Sequence, residues 1–323
     1  MAEESKPSRV LAVVNSHSGN ADSARVVETL RARLSERSPG CVLAIHETDR
    51  GEDLASTVRE RVAREGFELV VAAGGDGTVS EVANGLVGGE SVLAIIPLGT
   101  TNVLARELGV PLHLEGACGL ASGPSSIARV DAMKVGSSYF FTQIGVGIDA
   151  LMIHDTSARD KRRMGVFAYV RSWLRSLVGV RPRRLTVTAD GFSVQTRTRQ
   201  VILANCGTLG ISGLRWGPDV RVDDGRIDVC IFRPRTPLDY PGIAWHFMRG
   251  RHRSEPRLIY LNASRTVTIQ ADDPLPVQGD GENLSQTPLT MEVVRNAVRV
   301  VAPAIAAASA EQENGRIEDR SGL

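Results

Sequence analysis

The stretch Glu68-Leu69-Val70-Val71-Ala72-Ala73-Gly74-Gly75-Asp76-Gly77-Thr78 decides the fold. Its first six residues form a near-continuous apolar run, as expected of a parallel strand covered on both faces. The run ends in glycines, and a helical pattern follows over about 77–87. A strand feeding a helix through a short loop is the repeating junction of an open α/β sheet. Glycines lack Cβ atoms, so backbone N–H groups at Gly74, Gly75 and Gly77 can close around phosphate oxygens. The following helix N-terminus adds a favourable dipole. Asp76 cannot face a phosphate unaided, because like charges repel; it needs Mg²⁺ or a water network between them. The structural alternative is a glycine-rich turn with Asp76 as its cap.

The same alternation extends outward on both sides. Upstream lie a strand over 9–15, a helix with Val26, Val27, Leu30 and Leu34 at helical spacing, a strand over 41–46 and a helix over about 53–65. Downstream lie a strand over 92–96 and a helix over about 101–108. Together they predict a doubly wound parallel sheet. Two further loops follow strands: Asn15-Ser16-His17-Ser18-Gly19 and Pro97-Leu98-Gly99-Thr100-Thr101-Asn102. Each could merely cap a helix. Three such loops at strand carboxyl ends point to one phosphate site, because ligands bind there in open sheets.

After about residue 132 the pattern changes. Segments 138–144, 184–189, 192–204, 226–232, 257–262, 265–271 and 289–302 read as strands, many with alternation, and helices are expected only over about 160–178 and 238–249. This predicts a mainly antiparallel β domain. Its turn Gly279-Asp280-Gly281-Glu282 presents two carboxylates that could hold a metal or act as a base; alone, such a turn is more often a plain hairpin. Residues 304–323 lack a hydrophobic face and read as disordered.

Length and composition narrow the classes further. At 323 residues, 42% hydrophobic and 23% charged, the chain suits two globular domains. Four cysteines stand far apart with no CxxC, which disfavours zinc ribbons and thiol redox chemistry. The opening residues are unlike a signal peptide, and no apolar run is long enough to span a bilayer. No GxxxxGK[ST] occurs, so P-loop chemistry is excluded. The only lysines are Lys6, Lys134 and Lys161, none near the glycine-rich loops; backbone amides, Mg²⁺ and Arg106 must neutralise phosphates instead. Gly145-Val146-Gly147-Ile148-Asp149 lacks the third glycine and the context of a dinucleotide fingerprint.

Taken in order, NSHSG, GGDGT-x2-E-x2-N, PLGTTN-x3-R, GVGIDA, DDGRID and GDGE resemble the bacterial lipid kinase family that includes diacylglycerol kinases, with sphingosine and ceramide kinases as relatives. The resemblance covers about residues 9–303. It implies an N-terminal α/β domain like those of NAD kinase and phosphofructokinase (residues 1–132) that binds ATP. It implies a lipid-binding β-sandwich (133–289), with strands from about 290–303 returning to the first domain and the active site in the cleft between. Carried over by motif, Asn15, Ser16, His17, Ser18, Gly19, Thr48, Gly74, Gly75, Asp76, Gly77, Thr78, Glu81, Thr100 and Asn102 are expected at the nucleotide. Asp280 or Glu282 is expected to accept the proton; Asp280 is favoured, with Glu282 beside Asp76 in the magnesium network. The segment 221–226 resembles the family's structural Mg²⁺ site, with the Asp224 carboxylate and the carbonyls of Arg221 and Arg226 as ligands, oxygen donors that suit a hard cation. A plain Asp-Gly hairpin is the alternative there.

Two departures stand out. Ser16 replaces the family's usual proline. Val103 stands where characterised diacylglycerol kinases carry Asp, which removes one carboxylate from the magnesium network.

The expected reaction is transfer of the γ-phosphoryl group of ATP to a lipid hydroxyl, with diacylglycerol as acceptor. The alternatives are an NAD kinase-like enzyme, a sphingoid-lipid kinase, and a non-catalytic nucleotide- or lipid-binding regulator. Charge supports an anionic membrane surface as partner: residues 1–132 carry −6 and residues 133–303 carry +9. Within 159–184, nine basic residues face one acidic residue, interleaved with Met164, Phe167, Trp173, Leu174 and Leu177. Such a segment could lie on headgroups or could pack its apolar stripe on the β domain. No nucleic-acid motif occurs. A cytoplasmic protein peripherally attached to a membrane is expected, and a homodimer is compatible with these readings.

Overall fold

A computed structural model describes residues 7–16, 23–147, 182–209, 215–217, 219–234, 236 and 239–304. The helix expected over 160–178, the basic stretch up to residue 181, the tail beyond 304 and the loop residues His17, Ser18 and Gly19 lie outside the described residues. The chain divides into two compact units. One comprises the described residues up to Val130 and from Asn296; the other runs from Asp131 to Arg295.

The first unit is built on parallel strands. β1 (Arg9–Val14), β2 (Val42–Glu47), β3 (Leu69–Gly74) and β4 (Val92–Pro97) lie in the order β2-β1-β3-β4. The end of a long last strand (Leu289–Ala302) pairs in parallel with β4 through Arg299↔Val92 and Val300↔Leu93. β3 is buried along its whole length, as its unbroken apolar run requires. α1 (Ser23–Arg37) buries Val26, Leu30 and Leu34, one face at helical spacing. α2 (Leu54–Glu65) is capped by Asp53, whose carboxylate accepts from Ser56 N–H, and ends at Gly66 in the left-handed region. α3 (Asp76–Leu86) follows β3, and α4 (Val103–Glu107) follows β4. α4 starts two residues later than expected, because Asn102 sits at φ 47° and cannot belong to a right-handed helix. α5 (Leu114–Ser122) was not foreseen. Its two glycines weaken helix propensity, but small buried residues Ala117, Cys118 and Ala121 give it a flat face.

The second unit is an antiparallel sandwich. One sheet holds β5 from Asp131 onward (Ser126–Val135), β6 (Ser138–Phe140), β8 (Arg183–Ala189), β9 (Phe192–Thr198), β13 (Thr266–Ala271) and the first half of the last strand, β16. The other runs β12-β11-β10-β7-β14-β15, formed by Leu258–Ala263, Ile227–Phe232, Gln200–Ala204, Gln143–Gly147, Pro276–Gly279 and Glu282–Gln286. Alternate residues from both sheets, among them Val187, Val201, Leu203, Val229, Val267 and Met291, fill the core. The intervening residues of β10 and β11, including Ile202, Cys230 and Phe232, form a second cluster with Trp216 and Ile243 of α6 (Asp239–Met248). Two covered faces explain why β10 is wholly buried.

The single strand expected over 192–204 is two. β9 pairs with β8 and β10 pairs with β7, so the chain changes sheets at Arg199. Gly147 makes that crossing possible: a Cβ there would lie 2.2 Å from the Arg199 carbonyl oxygen. Its glycine thus serves strand packing. Among the described residues, no helix is long and apolar enough to cross a membrane.

Candidate active site

The strand order β2-β1-β3-β4 reverses direction between β1 and β3, and the carboxyl ends there form the crevice where open α/β sheets bind ligands. Asn15 leaves β1 at this point, and its Nδ2 donates to Thr78 Oγ1 at 2.8 Å. That bond ties the first loop to the second. The second and third loops approach each other so closely that a Cβ on Gly99 would lie 2.8 Å from Gly75 Cα. No side chain caps the N-terminus of α3, where Gly75 is extended. Its first N–H groups are therefore available to an anion.

Asp76 also ties two of these loops together. Its carboxylate accepts from Thr101 Oγ1 at 2.5 Å, Asn102 N–H at 2.9 Å and Val103 N–H at 2.6 Å. It therefore caps α4 from the neighbouring loop and holds the third loop against the second. A carboxylate offers about four acceptor sites, so one remains for a cation. Asn102, expected at the nucleotide, spends its side chain within its own loop. Its Oδ1 accepts from Gly99 N–H at 3.0 Å and its Nδ2 donates to the Gly99 carbonyl at 2.8 Å. It is a loop clamp, 8% exposed. Arg106 donates through Nε to the Thr101 carbonyl. Thr48 lies just beyond β2, its N–H donating to the Val14 carbonyl beside the first loop. Ser16, Glu81 and Thr100 are exposed around these loops.

In the second unit the β14–β15 hairpin turns at Asp280 and Gly281, with φ of 48° and 91°. Two successive positive φ values favour this Asp-Gly pair. The Asp280 carboxylate is fully engaged. It accepts from the N–H groups of Phe141, Thr142 and Gln143 at 2.8, 2.9 and 3.1 Å and from Thr142 Oγ1 at 2.6 Å. Asp280 N–H in turn donates to the Gln143 carbonyl. Glu282, two residues on, is exposed, and among the described residues no donor engages its carboxylate. Asp280 was expected to accept the proton; here four donors already occupy its lone pairs, whereas those of Glu282 are open. Sequence could not show this, since the donors come from a distant segment.

The 221–226 turn carries the third group of expected residues. Asp224 Oδ1 accepts from Arg226 N–H at 3.0 Å, and its second oxygen has no donor among the described residues. The residue keeps much of its surface exposed, yet loss of hydration around its carboxyl pushes its pKa up, and Asp131 and Asp223 add to the rise. Asp228 is pushed up to about 6 by burial and by Asp224. A crowded carboxylate with a vacant acceptor, beside other acids, suits a hard cation. The carbonyls of Arg221 and Arg226 would have to complete the ligand set. Among the described residues no three His, Cys, Asp or Glu side chains converge as a metal site of their own.

Two residues that sequence reading passed over organise this turn. Asp131, 1% exposed, accepts from Gly225 N–H at 2.6 Å, and its own N–H donates to the Val222 carbonyl at 2.7 Å. Asn205, fully buried, donates through Nδ2 to the carbonyls of Asp131 and Phe141, both at 2.8 Å. A lone acid inside the apolar run of β5, and an asparagine closing β10, were the available signals.

Comparison with known proteins agrees with this anatomy. The diacylglycerol kinase catalytic domain family matches residues 9–135, and the YegS C-terminal NAD kinase beta sandwich-like domain family matches residues 142–302. A probable YegS-like lipid kinase of Pseudomonas aeruginosa is 32% identical over 280 residues, 86% of this chain and 90% of that protein. A diacylglycerol kinase of Bacillus subtilis is 29% identical over 269 residues, 82% of this chain and 87% of that one. A solved structure of a Bacillus anthracis protein described as a diacylglycerol kinase aligns with a TM-score of 0.77 at 25% identity, covering 94% of this chain and 99% of that one. With the phosphate-type loops in an α/β unit and the GDGE turn in a sandwich, the chain belongs to the bacterial diacylglycerol kinase and lipid kinase family and is a phosphotransferase acting on an alcohol acceptor.

Proposed function

We propose that this kinase transfers the γ-phosphoryl group of ATP to the primary hydroxyl of diacylglycerol, giving phosphatidate. The observation that carries the reading is the joining of three strand-end loops at the switch point by Asn15–Thr78 and by Asp76 with Thr101, Asn102 and Val103. Phosphoryl transfer depends chiefly on positioning and on charge stabilisation. The amides of Gly75, Gly77 and Thr78 at the start of α3 would hold phosphate oxygens, and Asn15 fixes the first loop against them. Asp76 would hold the magnesium of the nucleotide at its remaining acceptor site, and Asp224 with the carbonyls of Arg221 and Arg226 would hold a second. When bound, magnesium offsets charge on the phosphates.

Glu282 takes the role of proton acceptor. Its carboxylate is exposed and unengaged, whereas that of Asp280 is committed to the 141–143 segment. A carboxylate free to accept the hydroxyl proton contributes about 10²–10⁴-fold. Val103 favours a second reading, in which another lipid alcohol is the acceptor, since it supplies only a backbone N–H where characterised relatives would add a carboxylate. Incubation with radiolabelled ATP and diacylglycerol, ceramide, sphingosine, phosphatidylglycerol or NAD separates the readings. Label in phosphatidate is expected; label in another lipid selects the second reading, and label in NAD overturns both.

A further inference from the structure

The second unit carries a concavity of about 1010 Å³ lined by none of the residues placed at phosphate transfer. Arg184, Arg197, Arg233 and Arg257 line it, with Asp239 as the one carboxylate among the described residues. Asp239 is already committed: it accepts from Arg257 at 2.9 Å and from Thr236 N–H at 2.9 Å. Arg257 is also held by Glu255. The other three guanidinium groups are exposed, and no described residue pairs with them.

Two of these arginines occupy an unfavourable position. Arg184 of β8 and Arg197 of β9 are direct cross-strand partners in the antiparallel ladder. Like charges directly opposite each other destabilise a sheet. The neighbouring Arg183 avoids this, facing Thr198 and pairing with Asp273 at 2.6 Å. Nothing in the sandwich core requires a guanidinium at 184 or 197, since Leu185 and Thr196 supply the buried contacts on those strands. An anion between the arginines removes the conflict, and the planar guanidinium fork matches phosphate oxygens.

We propose that Arg184, Arg197 and Arg233, with Arg257 as the fixed rear wall, form a phosphate-monoester site on the sandwich unit, separate from the transfer chemistry, that takes the headgroup of an anionic phospholipid. The shared chemistry is a phosphate dianion, which a soluble phosphate ester also offers.

The test uses the full chain and phosphatidylcholine vesicles with and without 20 mol% phosphatidate (about a fifth, a common anionic loading). The double variant R197Q/R233Q is expected to bind phosphatidate vesicles at least about tenfold more weakly, with R197K/R233K intermediate because it keeps charge but loses the fork. Turnover on a short-chain soluble substrate should be unchanged. Glycerol 3-phosphate in solution distinguishes the sources: failure to compete assigns the site to a lipid headgroup, and full competition assigns it to a soluble ester and overturns the lipid assignment. R197Q alone should raise Tm by about 1 °C or more, as the cross-strand repulsion is relieved. A lower Tm would mean that the arginines are structural, and vesicle binding unaltered in R197Q/R233Q would overturn the site altogether.

Discussion

Asp76 gathers its donors from residues 25 to 27 positions along the chain, whereas Asp280 gathers its donors from residues 137 to 139 positions away. Both carboxylates staple a backbone segment through several N–H groups. In the parallel unit the stapled segment is the next strand-end loop, so the staple joins two of the loops that the proposed reading places at phosphate. In the antiparallel unit it is a strap between β6 and β7, and the neighbour, Glu282, is left exposed with its carboxylate unengaged among the described residues. A carboxylate's place in a motif does not by itself show how much of its acceptor capacity is free; the number of donors that hold it does.

The sharpest way to break this comparison is at Glu282. E282Q should lower turnover by about 10²–10⁴-fold with Tm and ATP affinity nearly unchanged. Steady-state kinetics beside a thermal melt would check both, and near-normal turnover would remove Glu282 from the chemistry. The next effect is at Asp76. D76A frees the third loop from the second, and misplacement of the phosphates by about 1 Å costs on the order of 10²-fold in kcat. Circular dichroism should show the fold retained, because β3 and β4 are held by their own ladder.

D280N is expected to act on stability more than on chemistry. Asparagine tolerates the positive φ but turns an N–H₂ toward one of the four donors and removes the charge. A loss of about 2–3 kcal/mol follows from charge-assisted hydrogen bonds, read as a Tm lowered by about 5–10 °C. Should D280N instead melt normally and lose turnover as E282Q does, the two residues share the chemical role.

The smallest expected effect concerns His252, which separates the two units by pH. Its ring is 2% exposed, stacked on Phe247 at 5.2 Å with Tyr260 at 6.0 Å, and neither ring nitrogen has a partner among the described residues. Burial holds its pKa below 6.5, Arg253 assists and Asp219 opposes. The unfolded chain then binds a proton more readily than the folded one. Its contribution to stability is complete above pH 6.5 and is lost as pH falls below that value toward the folded pKa. Melts from pH 7.5 down to 5.5 should show a decline in the second unit that H252F reduces; equal slopes would assign the decline to other groups.

The fold was largely readable from the chain because its strands are either unbroken apolar runs or alternating ones. The strand-end loops were readable because glycine next to a strand has few other uses. What escaped depended on tertiary partners. α5 is held by its packing on α1 despite Gly116 and Gly119. The break at Arg199 is set by which sheet each half joins. The engagement of Asp280, and the parts played by Asp131 and Asn205, rest on carbonyls and N–H groups that no local pattern brings together. The loop-closing bonds of Asn102 were hidden for a related reason: an amide that is right for a ligand is equally right for closing its own loop.

The pairing of the last strand with β4 has a consequence for how the protein is made. Arg299 reaches Glu90 across 209 residues of sequence, and Gly88 N–H donates to the Ala297 carbonyl. The parallel unit is thus left with an open sheet edge at β4 while the whole sandwich emerges from the ribosome. During synthesis at roughly 5–20 residues per second, that edge stays unpaired for on the order of ten seconds or more. An unpaired β edge invites other strands. A fragment ending at Val130 keeps that edge permanently, so severing the chain at its apparent domain boundary yields a strand acceptor rather than a free-standing α/β domain.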